Sequence, residues 1–185
     1  MSKLQGKKIL VGISGGIAAY KIATLINQLL KNGAEVRVIM TEAATKFVTP
    51  ITFQALTNRA VYTDMFSSIN AEEVEHISLA KWCDIFVLAP ATANTIGKLA
   101  NGIADNMLTT VIMALPQNKK VVIAPAMNTE MWLNRITQDN VDYLKKIDNK
   151  YIFEDPQPGL LACRDEGIGK VAETENIIKT IEKNI

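Results

Sequence analysis

The sequence alternates short runs of apolar, often β-branched residues with longer amphipathic stretches. Runs rich in apolar residues, which predict strands, occupy residues 8–13, 34–40, 84–89 and 120–124. A continuous apolar run, such as the one within 84–89, is typical of strands buried on both faces of a parallel sheet. Residues 17–31 carry apolar side chains at helical spacing, and Asn32-Gly33 marks the end of that helix. This order predicts one α/β domain over residues 1–185, a Rossmann or flavodoxin-like three-layer sandwich with a parallel sheet flanked by helices.

Further helices are expected at residues 105–115, 133–147 and 173–183. Two segments break the alternation. Residues 48–68 are short and mixed, which predicts a connection with a helical turn around Phe53. Residues 154–170 contain several prolines and glycines without periodicity, and a loop of that length in a compact domain is usually functional.

Composition excludes several classes of function. Twenty Lys and Arg against nineteen Asp and Glu leave a formal charge of +1, which argues against a nucleic-acid partner. No apolar run reaches the roughly 18 residues of a membrane-spanning helix, and no targeting segment is evident, so we expect a cytoplasmic protein with no membrane partner. One histidine, His76, and two separated cysteines, Cys83 and Cys163, cannot build a tetrahedral zinc site, so no metal is expected.

A glycine-rich segment joins the first strand to the first helix. Residues 12–16 read Gly-Ile-Ser-Gly-Gly, and small residues there let a phosphate approach backbone amides, although they can equally serve only the tight turn. The spacing does not match the G-x-G-x-x-G dinucleotide pattern. The second strand ends at Met40-Thr41 rather than at the acidic residue that would hold a ribose. These features favour a mononucleotide such as FMN over NAD.

Two polar segments follow later strands, at the sheet edge where open α/β proteins place ligands. Residues 90–95 carry short hydroxyl and amide groups that suit a heterocycle or phosphate, or a helix cap by Thr92 or Asn94. Residues 125–132 carry Asn128, which again suits a cap. The same segment contains side chains that suit either a planar apolar ligand or the core, namely Met127, Met131 and Trp132.

The scarce histidine and cysteines differ in their surroundings. His76 is flanked by acidic residues and is expected to be accessible, and a solitary surface histidine is usually inert. Cys163 lies in a glycine-rich loop with Arg164 and Lys170 nearby, features associated with a reactive thiol. Cys83 abuts a strand, which indicates a core position.

Together these segments resemble one family. The ordered set of His76-Ile77-Ser78-Leu79, residues 90–95, residues 125–132 and the Cys163 loop is similar to the homo-oligomeric flavin-containing cysteine decarboxylases. The resemblance runs from Gly15-Gly16 to Lys170. It implies FMN as the cofactor and, within the family, the branch that decarboxylates the small molecule phosphopantothenoylcysteine in coenzyme A synthesis.

The resemblance also implies roles for individual residues. FMN contacts would come from Gly15, Gly16, Ile17, Thr41, Phe47, Thr92, Ala93, Asn94, Thr95 and Ala126. Substrate contacts would come from Asn128, Met131, Ala162 and Lys170. The catalytic residues would be His76 as base or orienting group, Asn128 on the substrate carboxylate, and Cys163 as a late proton donor on a flap at about 154–170. Relatives usually carry glycine where this chain has Arg164, and many carry arginine where it has Lys170.

The chemistry explains why a decarboxylase would need a flavin. Loss of CO2 from a cysteinyl carboxylate leaves an electron pair with no acceptor. Prior oxidation of the cysteine side to a thioaldehyde supplies one, because the pair then moves onto sulfur as an ene-thiolate. Return of the two electrons by reduced flavin makes the net reaction a decarboxylation without net redox change.

The resemblance implies partners and leaves alternatives. It implies a homotrimer or homododecamer with FMN near subunit interfaces, and a separate phosphopantothenate–cysteine ligase that supplies the substrate. A peptidyl-cysteine decarboxylase is an alternative, although such enzymes as a rule lack the cysteine flap. A non-catalytic flavin-binding regulatory subunit is another. A flavin prenyltransferase is disfavoured because it does not use the Pro-Ala-Met-Asn motif of residues 125–128.

Overall fold

The computed structural model of the protein describes residues 2–66, 74–162 and 164–185. Six parallel strands form its main sheet: β1 (Lys8–Ile13), β2 (Glu35–Met40), β3 (Val61–Tyr62), β4 (Ile85–Ala91), β5 (Lys120–Pro125) and β6 (Tyr151–Phe153). In space their order is β3-β2-β1-β4-β5-β6. The predicted α/β class with a parallel sheet is confirmed.

Helices cover both faces of this sheet. They are α1 (Ile22–Lys31), α2 (Glu42–Thr45), α3 (Pro50–Thr57), α4 (Glu75–Trp82), α5 (Ala93–Ala100), α6 (Met107–Ala114), α7 (Thr129–Leu133), α8 (Arg135–Lys145) and α9 (Thr174–Asn184). The first predicted helix is divided, because residues Ile17–Lys21 form a 3₁₀ turn before α1 begins. Across the described ranges, no helix has both the length and the apolar character needed to cross a membrane.

The strands separate two cores because successive side chains of a strand point to opposite faces. Ile9 and Val11 of β1 pack in the core beneath α1 and α9, whereas Leu10 packs in the core beneath α4, α5, α6 and α8. Each fully buried aliphatic side chain stabilises the fold by roughly 1.5–3 kcal/mol relative to exposure. Gly12 of β1 cannot be replaced by a residue with a side chain, because a Cβ there would lie 2.7 Å from the ring of Phe86.

Two segments differ from the sequence prediction. The prediction of an irregular loop at 154–170 is wrong. The segment contains an antiparallel hairpin of β7 (Gln157–Leu160) and β8 (Glu166–Lys170). Proline and glycine disfavour central strands but are tolerated in a short exposed hairpin, which is why the pattern misled. The single helical turn expected around Phe53 is the eight-residue helix α3, followed by the edge strand β3.

The strand order fixes where a ligand site can lie. The chain passes from β1 to β2 on one side and from β4 to β5 on the other, while β1 and β4 are direct neighbours. Connections therefore diverge at the carboxyl ends of β1 and β4, and open α/β sheets bind ligands in the crevice that forms there.

Candidate functional site

A cavity of about 1020 Å³ lies at this crevice. That volume is at the upper end of the roughly 300–1000 Å³ of small-molecule sites, so it has room for a cofactor together with a substrate. The described residues that line it come mainly from the turns after β1, β2, β4 and β5 and from the hairpin β7–β8, with others from α5 and from the segment before α6. They include the predicted site residues Gly15, Gly16, Ile17, Thr41, Thr92, Asn94, Thr95, Ala126, Asn128, Met131, Ala162 and Lys170.

The glycines after β1 bring two turns together. A Cβ at Gly15 would collide with Ala43 at the start of α2, so only glycine permits this approach. Gly16 precedes the 3₁₀ turn and lines the cavity. The backbone amides at the start of that turn therefore border the cavity, as an anion site requires.

Ser14 ties the ends of β1 and β4 together. Its buried hydroxyl donates to the carbonyl of Pro90 at 2.6 Å and accepts from the backbone N–H of Thr92 at 2.9 Å. Sequence reasoning missed this role. The available signal was a hydroxyl residue directly after a buried strand.

Thr92 combines the two roles that the sequence left open, and Thr41, which was predicted only as a phosphate contact, also caps a helix. The Thr41 hydroxyl accepts from the N–H of Ala44 at 3.2 Å and caps α2, and the Thr92 hydroxyl accepts from the N–H of Thr95 at 3.4 Å and caps α5. Both residues also line the cavity. Ala93 belongs to the same turn but is not among the lining residues.

Asn128 is held in a fixed orientation at the start of α7. Its Oδ1 accepts from the N–H of Glu130 at 2.8 Å, and the residue lines the cavity. The sequence left open whether the apolar side chains around Asn128 contact a ligand or belong to the core. Met127 and Met131 line the cavity, whereas Trp132 is only 6% exposed and belongs to the core.

The hairpin closes the cavity on this side through glycine contacts. The N–H of Met127 donates to the carbonyl of Gly169 at 3.0 Å, and a Cβ at Gly169 would collide with the Met127 carbonyl. A Cβ at Gly167 would likewise collide with Thr129. Leu160, which sequence reasoning missed, joins Ala162 in lining the cavity.

Charged side chains also face the cavity, and most were missed from the sequence. Lys98 pairs with Asp105 at 2.6 Å, and this contact lowers the pKa of the Asp105 carboxyl. Lys170 pairs with Glu173 at 3.0 Å. Burial lowers the pKa of Lys21, and the nearby charge of Lys170 lowers it further.

Three predicted site residues within the described ranges, Ala93, His76 and Phe47, do not line this cavity. His76 is half-buried in the first turn of α4, and Phe47 is 50% exposed beyond α2; neither lines the cavity of a single chain. Cys163 lies outside the described residues. Cys83 is buried, as predicted, and burial raises its pKa to about 11.

Comparisons with known proteins agree with this geometry. A family model described as Flavoprotein matches residues 1–185. The protein named "Probable phosphopantothenoylcysteine decarboxylase" of Streptococcus mutans is 47% identical over 97% of this chain and 99% of its own length. The coenzyme A biosynthesis bifunctional protein CoaBC of Bacillus subtilis is 48% identical over 98% of this chain, which spans only 44% of that relative.

Solved structures show the same similarity. A PPC decarboxylase mutant complexed with pantothenoylaminoethenethiol superposes with a TM-score of 0.86 at 34% identity, covering 97% of this chain and 98% of that one. The FMN binding protein AtHal3 superposes with a TM-score of 0.84 at 35% identity, covering 97% of this chain and 96% of that one.

Proposed function

Because this chain belongs to the flavoprotein family, we propose that it is an FMN-dependent decarboxylase that converts phosphopantothenoylcysteine to phosphopantetheine and CO2 in coenzyme A biosynthesis. One observation carries the proposal. The crevice at the ends of β1 and β4 combines the Gly15-Gly16 turn, two threonine-capped helix N-termini and the immobilised amide of Asn128.

The residues present fit FMN. The amides after Gly16 and at the starts of α2 and α5 suit a phosphate, and Thr41 stands where a dinucleotide site would carry an acid. Gly15, Ile17, Asn94, Thr95 and Ala126 complete the set that would hold the cofactor. When bound there, FMN would supply reversible two-electron redox chemistry to the cysteine side of the substrate.

Asn128 is the residue proposed to orient the substrate carboxylate. Its cap on α7 fixes the amide before substrate binds, so little ordering is needed on binding. Met131 and Ala162 line the same part of the cavity and would contact the substrate chain. Cys163 is proposed as the proton donor of the final reduction, a role worth roughly 10²–10⁴ in rate for a general acid.

The roles proposed for His76 and Phe47 require a neighbouring copy of the chain, since neither lines its own cavity. Exposed apolar side chains beside the cavity support such an interface: Ile17 is 55% exposed and Tyr20 59%. We therefore infer a homo-oligomer with FMN near subunit interfaces, and the family resemblance implies a trimer or dodecamer.

Mixing two inactive variants tests this arrangement. Co-expressed His76→Asn and Asn128→Asp subunits should recover activity, because some interfaces then pair an intact His76 with an intact Asn128. Random assembly restores about a quarter of the sites when each site takes His76 from one subunit and Asn128 from another. Mixed oligomers without activity would place both residues on one subunit's site.

The activity itself is tested by two measurements on purified protein. FMN binding is followed by quenching of flavin fluorescence, and CO2 release is measured from phosphopantothenoylcysteine and from a peptide ending in cysteine. We expect FMN binding and release from the small molecule. Preference for the peptide would identify a peptidyl-cysteine decarboxylase, and FMN binding without CO2 release from either would identify a non-catalytic flavin-binding subunit.

A further inference from the structure

Two lysines from distant parts of the chain face the cavity. Lys21 ends the 3₁₀ turn after β1, and Lys170 ends β8 at the root of the hairpin. Lys98, another cation of the lining, is engaged by Asp105. Within the described ranges, no carboxylate lies within 4.0 Å of the Lys21 ammonium, so its charge has no ion-pair partner there.

Glu173 lies close enough to both lysines to respond to their charges. Its carboxylate is 3.0 Å from the Lys170 ammonium. Lys170, and more weakly Lys21, lower the pKa of Glu173, while Glu173 partly offsets the lowering of the Lys21 pKa by burial and by Lys170. The three groups therefore form one cluster of two cations and one anion.

Lys170 lies on the Asn128 side of the cavity. Lys170 follows Gly169, whose carbonyl accepts from the N–H of Met127, the residue before Asn128. We propose that Lys21 and Lys170 together bind the phosphate monoester of the substrate, and that Glu173 occupies this place until the phosphate displaces it. The inference rests on the proposed function and adds the residues that select a phosphorylated substrate.

Charge and exposure both support displacement. A phosphate monoester carries a charge of about −1.5 to −2 at neutral pH, which matches two ammonium groups better than one carboxylate does. The side chains of Lys170 and Glu173 are 36% and 57% exposed, and exposed ion pairs contribute little to stability. The phosphate can therefore displace Glu173 at small cost.

The FMN phosphate shares this chemistry but is the weaker candidate. The turn at Gly15-Gly16 and the starts of α2 and α5 already supply uncharged phosphate-binding amides to the cavity. The hairpin that carries Lys170 contributes none of these amides. Substrate phosphate is therefore the occupant we assign.

The test compares phosphopantothenoylcysteine with pantothenoylcysteine, which lacks the phosphate. Lys21→Met and Lys170→Met should each lower kcat/KM for the phosphorylated substrate about 10- to 100-fold, as expected for loss of a charged hydrogen bond. For each variant, the loss of kcat/KM on the unphosphorylated substrate should be at least about fivefold smaller, because that substrate offers no phosphate for the lysines to bind. Glu173→Gln should raise kcat/KM for the phosphorylated substrate about two- to fivefold.

Matched controls and a second ligand pair complete the design. Lys179→Met and Glu182→Gln make the same charge changes on α9, away from the cavity lining, and should change neither substrate's kcat/KM. The Kd for riboflavin reports whether the flavin site is folded. The difference between the Kd values for FMN and riboflavin reports binding of the flavin phosphate. Equal losses on both substrates, or weakened FMN binding with unchanged riboflavin binding, would overturn the assignment. A wild-type protein that releases no CO2 refutes the proposed function itself, and this inference with it.

Discussion

Replacement of Gly169 by alanine should release the hairpin from the main domain. Gly169 has φ +154°, and its carbonyl accepts from the N–H of Met127 at 3.0 Å, which docks β8 beside Asn128. An alanine Cβ would collide with the Met127 carbonyl. Because β7 and β8 form their own two-stranded sheet, the chain can relieve that collision by undocking the hairpin without unfolding the core.

The matched control is Gly159→Ala in the same hairpin. Gly159 has a similar φ of +146°, but the nearest atom to an added Cβ is Lys170 Cδ at 3.8 Å. Both variants therefore incur backbone strain of about 1–3 kcal/mol. Gly169→Ala alone adds about 1–3 kcal/mol of steric overlap. That difference corresponds to a 5- to 150-fold shift between docked and undocked hairpin.

Hydrogen exchange at the Met127 amide measures docking directly. We expect that amide to exchange faster in Gly169→Ala than in Gly159→Ala, and kcat/KM for the phosphorylated substrate to fall in parallel. Tm and FMN affinity should change less, because the cofactor-binding turns belong to the main sheet. Equal protection of the Met127 amide in the two variants would refute the steric argument.

Three further predictions concern single positions. Asn128→Asp keeps the cap on α7, since Asp and Asn cap equally well, but its negative charge repels the substrate carboxylate. We expect kcat/KM to fall at least about 100-fold with little change in Tm. A fall in Tm alongside the fall in kcat/KM would indicate a purely structural role. Thr92→Ala removes the α5 cap and should lower the free energy of unfolding by about 1 kcal/mol and weaken FMN binding. Thr92→Ser keeps the hydroxyl and should restore both quantities. A serine variant as unstable and as weak in FMN binding as the alanine variant would contradict the hydroxyl's role. Burial raises the pKa of Cys83 from 9.0 to about 11, so between these pH values the folded state keeps a proton that the unfolded state releases. The resulting stabilisation of the folded state, roughly 3 kcal/mol, is present below pH 9 and lost as pH rises through 11. Urea unfolding at pH 8 and pH 11 should show a smaller loss in Cys83→Ala than in the wild type, and equal losses would exclude this thiol as the cause.

The sequence predicted most of the main sheet because its signals are local. A parallel strand covered by helices on both faces is rich in apolar residues, and β1, β4 and β5 each have a nearly unbroken apolar run. In β2, Arg37 interrupts the run, but the remaining apolar residues still predict a strand. The short strand β6 was not predicted, because three residues are too few to show a pattern. The hairpin was not predicted, because its glycines are chosen by contacts with Met127 and Thr129, which lie about 40 residues away in sequence.

The site divides in the same way. The sequence offered helix caps at Thr92 and Asn128 because each cap depends on a backbone amide two or three residues away. It also singled out His76, yet the tertiary structure of one chain leaves that residue away from the cavity. A local pattern can identify a reactive residue without giving its partners.

Contacts between distant segments depend on the tertiary structure. Ser14 reaches Pro90 and Thr92 because β1 and β4 are neighbours in the sheet, although about 70 residues separate them in the chain. Lys21 and Lys170 face one cavity because the hairpin folds back onto the turn after β5. Neither contact produces a periodic pattern in the sequence. Both contacts depend on strand order and on docking of the hairpin, which arise from packing across the whole domain rather than from any single segment.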